Sequence, residues 1–203
     1  MKKIGLTGGI GAGKGEVASL LHAMGAAVID ADDEGHLAYR RGSLGWLRIV
    51  ELFGRQVMDD NEEVDRRLLG RVVFADSEAL ARLNRVMHPL IRAAVNGRLQ
   101  QMEKQGQSVV VVQVPLLLEA GWQEMMDEVW VVWAPPEVVV QRLRQQRELT
   151  EAEVRQRIEA QTPNEWKIKQ AHVAIENAGD LDELRLKVEA LWRDRIGPAS
   201  AYA

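Results

Sequence analysis

The run Gly8-Gly9-Ile10-Gly11-Ala12-Gly13-Lys14 limits what this chain can fold into more than any other stretch of it. It follows a short apolar segment, residues 3–6. It precedes Val17, Leu20, Leu21 and Met24 at helical spacing, with Gly25 as a stop. Glycines in the pattern G-x-x-x-x-G-K let successive backbone N–H groups turn inward around phosphate oxygens at the positive end of the following helix. The lysine then reaches the outer phosphates. Strand, loop and helix in that order predict a nucleotide-binding α/β fold, with a phosphate site over Gly8 to Lys14 that continues into Gly15 and Glu16.

The loop departs from its own rule at the next position. Where a Ser or Thr hydroxyl would hold Mg²⁺ stands Gly15, which offers no ligand. Glycine also weakens the first helical turn by about 1 kcal/mol relative to alanine. Glu16 adds a negative charge that suits the helix dipole but opposes a polyphosphate. Its carboxylate, curled back, is the one candidate metal ligand here, so the metal site is otherwise undetermined.

Further strands are expected at residues 27–29, 108–114, 128–133 and 173–175. Ser108-Val-Val-Val-Val-Gln-Val114 is nearly continuous in β-branched residues, the pattern of a strand buried on both faces inside a parallel sheet. Thr150 and Glu153 have capping-box spacing, and Leu181, Leu184, Val188 and Leu191 stripe a final helix. Residues 33–104 are mostly helical, with a break expected at His88-Pro89. The fold class is therefore α/β of the P-loop NTPase type, a five-stranded parallel sheet flanked by helices. Its core is expected over 1–32 and 105–196, with a helical insertion at 33–104 and a frayed tail at 197–203. Asp30 and Asp32, two apart on an extended segment, face the same side. One can take a substrate proton while the other orients, or either can cap a helix.

The 203 residues suit one domain with an insertion, not two full domains. A formal net charge of -4 gives no basic field for nucleic acid, and the absence of cysteine excludes disulfides and thiolate metal sites. No apolar window of membrane-spanning length occurs, and Met-Lys-Lys-Ile-Gly runs directly into a strand. A cytoplasmic protein without membrane partners is expected, and its oligomeric state is left open.

Seven blocks then carry a resemblance. Ile4-Gly-Leu-Thr-Gly-Gly-Ile-Gly11, Val28-Ile-Asp-Ala-Asp32, His88-Pro-Leu-Ile-Arg92, Val114-Pro-Leu-Leu-Leu-Glu-Ala-Gly121, Ala134-Pro-Pro-Glu137, the segment around Gln161, and Ile175-Glu-Asn177 occur in the order of the dephospho-CoA kinase family. The chain resembles that family over residues 3–192. The resemblance implies transfer of the γ-phosphate of ATP, with Mg²⁺, to the ribose 3′-hydroxyl of dephospho-CoA, the final step of coenzyme A biosynthesis. It implies a CoA-binding insertion and a helical lid at about residues 140–165. By position it makes Asp32 the general base, Lys14 a catalytic cation and Asn177 part of the nucleotide site. Asp30, His88, Arg92, Leu116 and Glu119 fall on the acceptor side.

This chain also breaks the family pattern. The family has Ser or Thr at Gly15, Thr at Glu16, Asp at Gln113 and at Trp133, Arg at His36 and Asp at His172. The lid arginine falls on Gln146, with Arg144 and Arg147 beside it, and Arg147 is the candidate replacement. Three readings follow: a kinase with weakened or altered catalysis, a non-catalytic protein binding nucleotide or a CoA-like ligand in a regulatory role, or a P-loop kinase of another acceptor.

Overall fold

The computed structural model describes residues 1–147 and 149–197, the side chains at 146 and 147 excepted. The side chains of Gln146 and Arg147, and the tail from residue 198, lie outside the described residues. Two compact units are present: residues 1–28 with 102–203, and residues 29–101.

The first unit opens with β1 (Lys2–Gly8), α1 (Lys14–Ala23) and β2 (Ala27–Asp30), whose last two residues belong to the second unit. It resumes at β3 (Val109–Gln113), β4 (Glu128–Trp133), α6 (Pro136–Arg147), α7 (Glu151–Glu159), α8 (Asn164–Gln170), β5 (Val173–Glu176) and α9 (Leu181–Arg195). The sheet is five-stranded and parallel, in the order β2-β3-β1-β4-β5. β1 pairs with β3 at Ile4–Val111 and with β4 at Ile4–Glu128. As the valine run predicted, β3 lies inside the sheet, with Val109 to Val112 all buried.

One layer of the core packs Ile4, Leu6, Val111, Trp130 and Val132 against Val17 and Leu21 of α1 and Val188 and Trp192 of α9. Each buried aliphatic side chain of this kind stabilises the fold by about 1.5–3 kcal/mol. Trp130 satisfies its indole by donating Nε1–H to Glu128 Oε2 at 2.8 Å, and Lys2 Nζ lies 2.8 Å from Glu128 Oε1. At the start of α7 the capping box forms in full. Thr150 N donates to Glu153 Oε2 at 2.8 Å, and Glu153 N donates to Thr150 Oγ1 at 3.3 Å.

The second unit holds α2 (Ala31–Ala38), α3 (Leu44–Phe53), α4 (Arg66–Ala75) and most of α5 (Ser77–Lys104). Its core gathers Ile49, Phe53, Leu69, Val73, Leu83 and Met87. The break expected at His88-Pro89 is absent, because α5 runs through Pro89. An interior proline costs a helix roughly 3 kcal/mol. Buried Leu83 and Met87 before it, and Val95 and Leu99 after it, offset that loss and hold one continuous helix.

Candidate active site

The phosphate loop lies between β1 and α1, so its backbone N–H groups stand at the N-terminus of a ten-residue helix. Gly13 caps that helix at φ 92°, a left-handed conformation, where a side chain would also overlap the Asn177 amide. Gly11, at φ 65°, has no room for a Cβ either, since one would sit 2.9 Å from Val139 Cγ1 of α6. Lys14 Nζ donates to the carbonyls of Gly8 and Gly9, each at 3.0 Å. A cavity of about 330 Å³ opens here, lined by Gly11, Gly13, Lys14, Gly15, Glu16, Gln113, Arg142 and Asn177. Its size is at the lower end of the range for small-molecule sites.

Arg142 of α6 lines this cavity and was not singled out from the sequence. Its Nη2 donates to Asn177 Oδ1 and to the Gly179 carbonyl, both at 3.2 Å. Its Nη1 is buried and has no hydrogen-bond partner among the described residues. An unmet buried donor beside a phosphate loop fits an anionic or aromatic ligand. Asn177 is used twice. It accepts from Arg142 and donates Nδ2–H to the Ala12 carbonyl at 2.9 Å, bracing the loop. A second brace stands across the loop, where Ile10 N donates to Gln161 Oε1 at 2.9 Å. The spacing of the chain carries no signal for either brace, because both join segments more than 100 residues apart.

Three departures from the family pattern meet at this cavity, Gly15, Glu16 and Gln113. Gly15 has nothing within 4 Å of where a Cβ would stand, so a serine fits there. Gln113, at the end of β3, lines the same cavity with a carboxamide-bearing residue in place of a carboxylate-bearing one. A fourth departure is explained structurally. His172 Nδ1 accepts the Val129 N–H at 3.0 Å, and His172 N donates to the Val129 carbonyl at 2.9 Å, so this position extends the β4–β5 pairing through an acceptor atom. Nothing in the structure explains Trp133.

In the second unit, Asp30 and Asp32 do not share an extended segment. Asp30 is the N-cap of α2, and its Oδ1 accepts the Asp32 N–H at 2.8 Å. The chain turns helical at Ala31, so the two-residue alternation of a strand no longer applies. Asp30 thus takes the capping role, and Asp32 is an exposed residue of the first turn. Tyr39 ends the same helix, seven residues from Asp32 and so on the same face. Burial raises the Tyr39 hydroxyl above its ordinary 10.0, with Arg66 opposing and Asp32 adding to the effect. Tyr39, within electrostatic reach of both Asp32 and Arg66, is therefore a residue that the sequence reading missed, and its seven-residue spacing from Asp32 was the available signal.

His88 and Arg92 are one turn apart on α5. Ile91, next to Arg92, packs toward Gly35 of α2, and Arg98 Nε lies 3.3 Å from the buried Glu34 carboxylate. Burial holds the His88 imidazole below its ordinary 6.5. At neutral pH it is an uncharged hydrogen-bonding group, and Arg92 is the cation of that face.

Leu116 and Glu119 belong to the first unit, on the segment after β3. Leu116 is exposed, but Glu119 is engaged with the almost fully buried Lys167, Nζ to Oε1 3.0 Å. Burial pushes the Glu119 carboxyl up. Its own backbone N–H, Lys167 and the Thr162 hydroxyl together hold it below the ordinary glutamate value of 4.5. The sign follows: the pair contributes stability above that pH and loses it as pH falls through the lower folded value. Glu119→Gln is expected to be less stable at pH 7 by about 3 kcal/mol, since Lys167 is left unpaired. It should also lose less Tm than the parent between about pH 5 and pH 3. Parallel melting curves for the two proteins over that interval would contradict this assignment.

A parallel sheet whose central strand runs into a glycine-rich loop, with a lysine folded over it and a cavity against it, defines a P-loop protein of the nucleotide-kinase type. The family model described as dephospho-CoA kinase matches residues 2–183, and the chain belongs to that family. It is 41% identical over 197 residues to a dephospho-CoA kinase of Symbiobacterium thermophilum, covering 97% of this chain and 82% of the relative. It is 40% identical over 196 residues to that of Geobacter sulfurreducens, covering 97% and 100%. The crystal structure of TT1252 from Thermus thermophilus superposes with a TM-score of 0.81 at 35% identity, covering 97% of this chain and 98% of that one.

Proposed function

We propose that this protein phosphorylates the ribose 3′-hydroxyl of dephospho-CoA with ATP, the closing reaction of coenzyme A assembly, in the cytoplasm. The observation that carries the reading is the intact phosphate loop with Lys14 folded over it, opening on a cavity, in a chain that matches dephospho-CoA kinases along nearly its whole length. In the reaction, the bond from the γ-phosphorus to the bridging oxygen of ATP breaks, leaving ADP. A bond from that phosphorus to O3′ of the acceptor forms, and Asp32 takes the hydroxyl proton. The loop N–H groups and Lys14 hold the outer phosphates, while Arg142 meets the nucleoside end. His88 and Arg92 serve the acceptor, the first by hydrogen bonding and the second by charge.

Mg²⁺ fits the cavity because Glu16 and Gln113, which both line it, carry side-chain oxygens, the donor type this cation takes. Those two residues would hold it, and it would neutralise charge on the transferring phosphoryl group. ADP release in the presence of ATP and Mg²⁺ should rise steeply when dephospho-CoA is added. An ADP release rate that ignores the acceptor would overturn the reading in favour of a binding protein or another acceptor.

A further inference from the structure

We infer that Gln161 is a positioning residue for phosphoryl transfer, fixing the tip of the phosphate loop against the helices that follow β4. This rests on the kinase reading above. The loop tip is held on three sides. Ile10 N donates out of the loop to Gln161 Oε1 at 2.9 Å, and a Cβ on Gly9 would stand 3.4 Å from the same oxygen. The Ile10 side chain packs into the apolar cluster formed by Val139 and Leu143 of α6 and Val154 of α7. On the far side, Asn177 holds the Ala12 carbonyl.

Gln161 itself is anchored. It stands just past Ala160, the C-cap of α7, and its neighbour Thr162 hydrogen-bonds Glu119, the partner of buried Lys167. The carboxamide therefore sits beside a residue tied to the segment after β3, and it sets the direction of the Ile10 peptide. That peptide leads into Gly11 to Lys14, whose N–H groups must meet the phosphoryl oxygens as charge shifts in the transition state. Glycines at φ 65° and 92° give this stretch many alternatives once the tip is released. A loop that is loosened but still intact should bind ATP in the ground state and lose alignment in the transition state.

The test compares Gln161→Met, which keeps the volume without an accepting oxygen, with Gln161→Glu, which keeps the oxygen. Gln161→Met is expected to lower kcat by roughly tenfold or more, with ATP affinity by calorimetry moving less than about threefold and Tm little changed. Gln161→Glu should hold kcat within about threefold of the parent, any cost of its charge appearing in ATP affinity. A merely structural role would lower Tm in the methionine variant and leave kcat alone. A fast parent whose kcat is unmoved by Gln161→Met, or a glutamate variant as slow as the methionine one at equal Tm, would overturn this assignment alone. A parent without turnover would overturn the kinase reading and this assignment with it.

Discussion

Replacing Asp32 by asparagine is expected to lower phosphoryl transfer to dephospho-CoA by about 10²–10⁴-fold, the usual contribution of a positioned general base. ATP affinity should change by less than about threefold, because the carboxylate acts on the acceptor hydroxyl. The fold should be untouched, since the cap of α2 is Asp30 and not Asp32. The paired control is Asp30→Asn. Asparagine caps a helix about as well as aspartate, so that variant should keep both the helix and most of the activity. Steady-state kinetics of both variants against the parent check this. An Asp32→Asn variant as fast as the parent, or a loss confined to Asp30→Asn, would mean that Asp32 is not the base.

The second large effect runs in the other direction. Gly15→Ser combined with Gln113→Asp is expected to raise kcat by about 10-fold or more and to increase the Mg²⁺ dependence of ATP binding. A hydroxyl and a carboxylate are better ligands for the cation than a hydrogen atom and a carboxamide. The serine enters without steric conflict, since Gly15 faces open space, and it firms the first turn of α1 by a few tenths of a kcal/mol. The pair should act more than additively, because both groups serve one metal and one transition state. Calorimetric titration of ATP with and without Mg²⁺, together with kcat, checks it. If neither Mg²⁺ dependence nor rate rises in the double variant, Glu16 and water already hold the ion as well as the missing ligands would.

The sequence made the sheet and the phosphate loop readable because both rest on short-range patterns. A run of valines marks β3 as interior, glycine spacing marks the loop, and Thr150 with Glu153 marks the start of α7. What it misplaced depends on competition between local and tertiary terms. Pro89 reads as a break, yet burial of Met87 and Val95 on either side holds α5 through it. Asp30 and Asp32 read as a strand pair, yet the Asp30 carboxylate captures the Asp32 N–H and starts a helix there. Asn177 and the segment around Gln161 were singled out by the resemblance, but their contacts to the loop, like the roles of Arg142 and Lys167, were not legible, because each gains its meaning from a partner far along the chain. His172 shows the same lesson from another side. A position where the family carries Asp is met by an imidazole nitrogen that accepts the Val129 N–H.

A dephospho-CoA kinase leaves the phosphoryl group of ATP on the 3′-oxygen of dephospho-CoA. The most direct test is a single turnover of γ-labelled ATP with excess enzyme and dephospho-CoA, followed by mass spectrometry to locate the label. With the parent protein, label is expected on the ribose 3′-oxygen, and none is expected when the acceptor lacks that hydroxyl. Label released to water, or carried by an acceptor without the 3′-hydroxyl, would contradict the kinase reading.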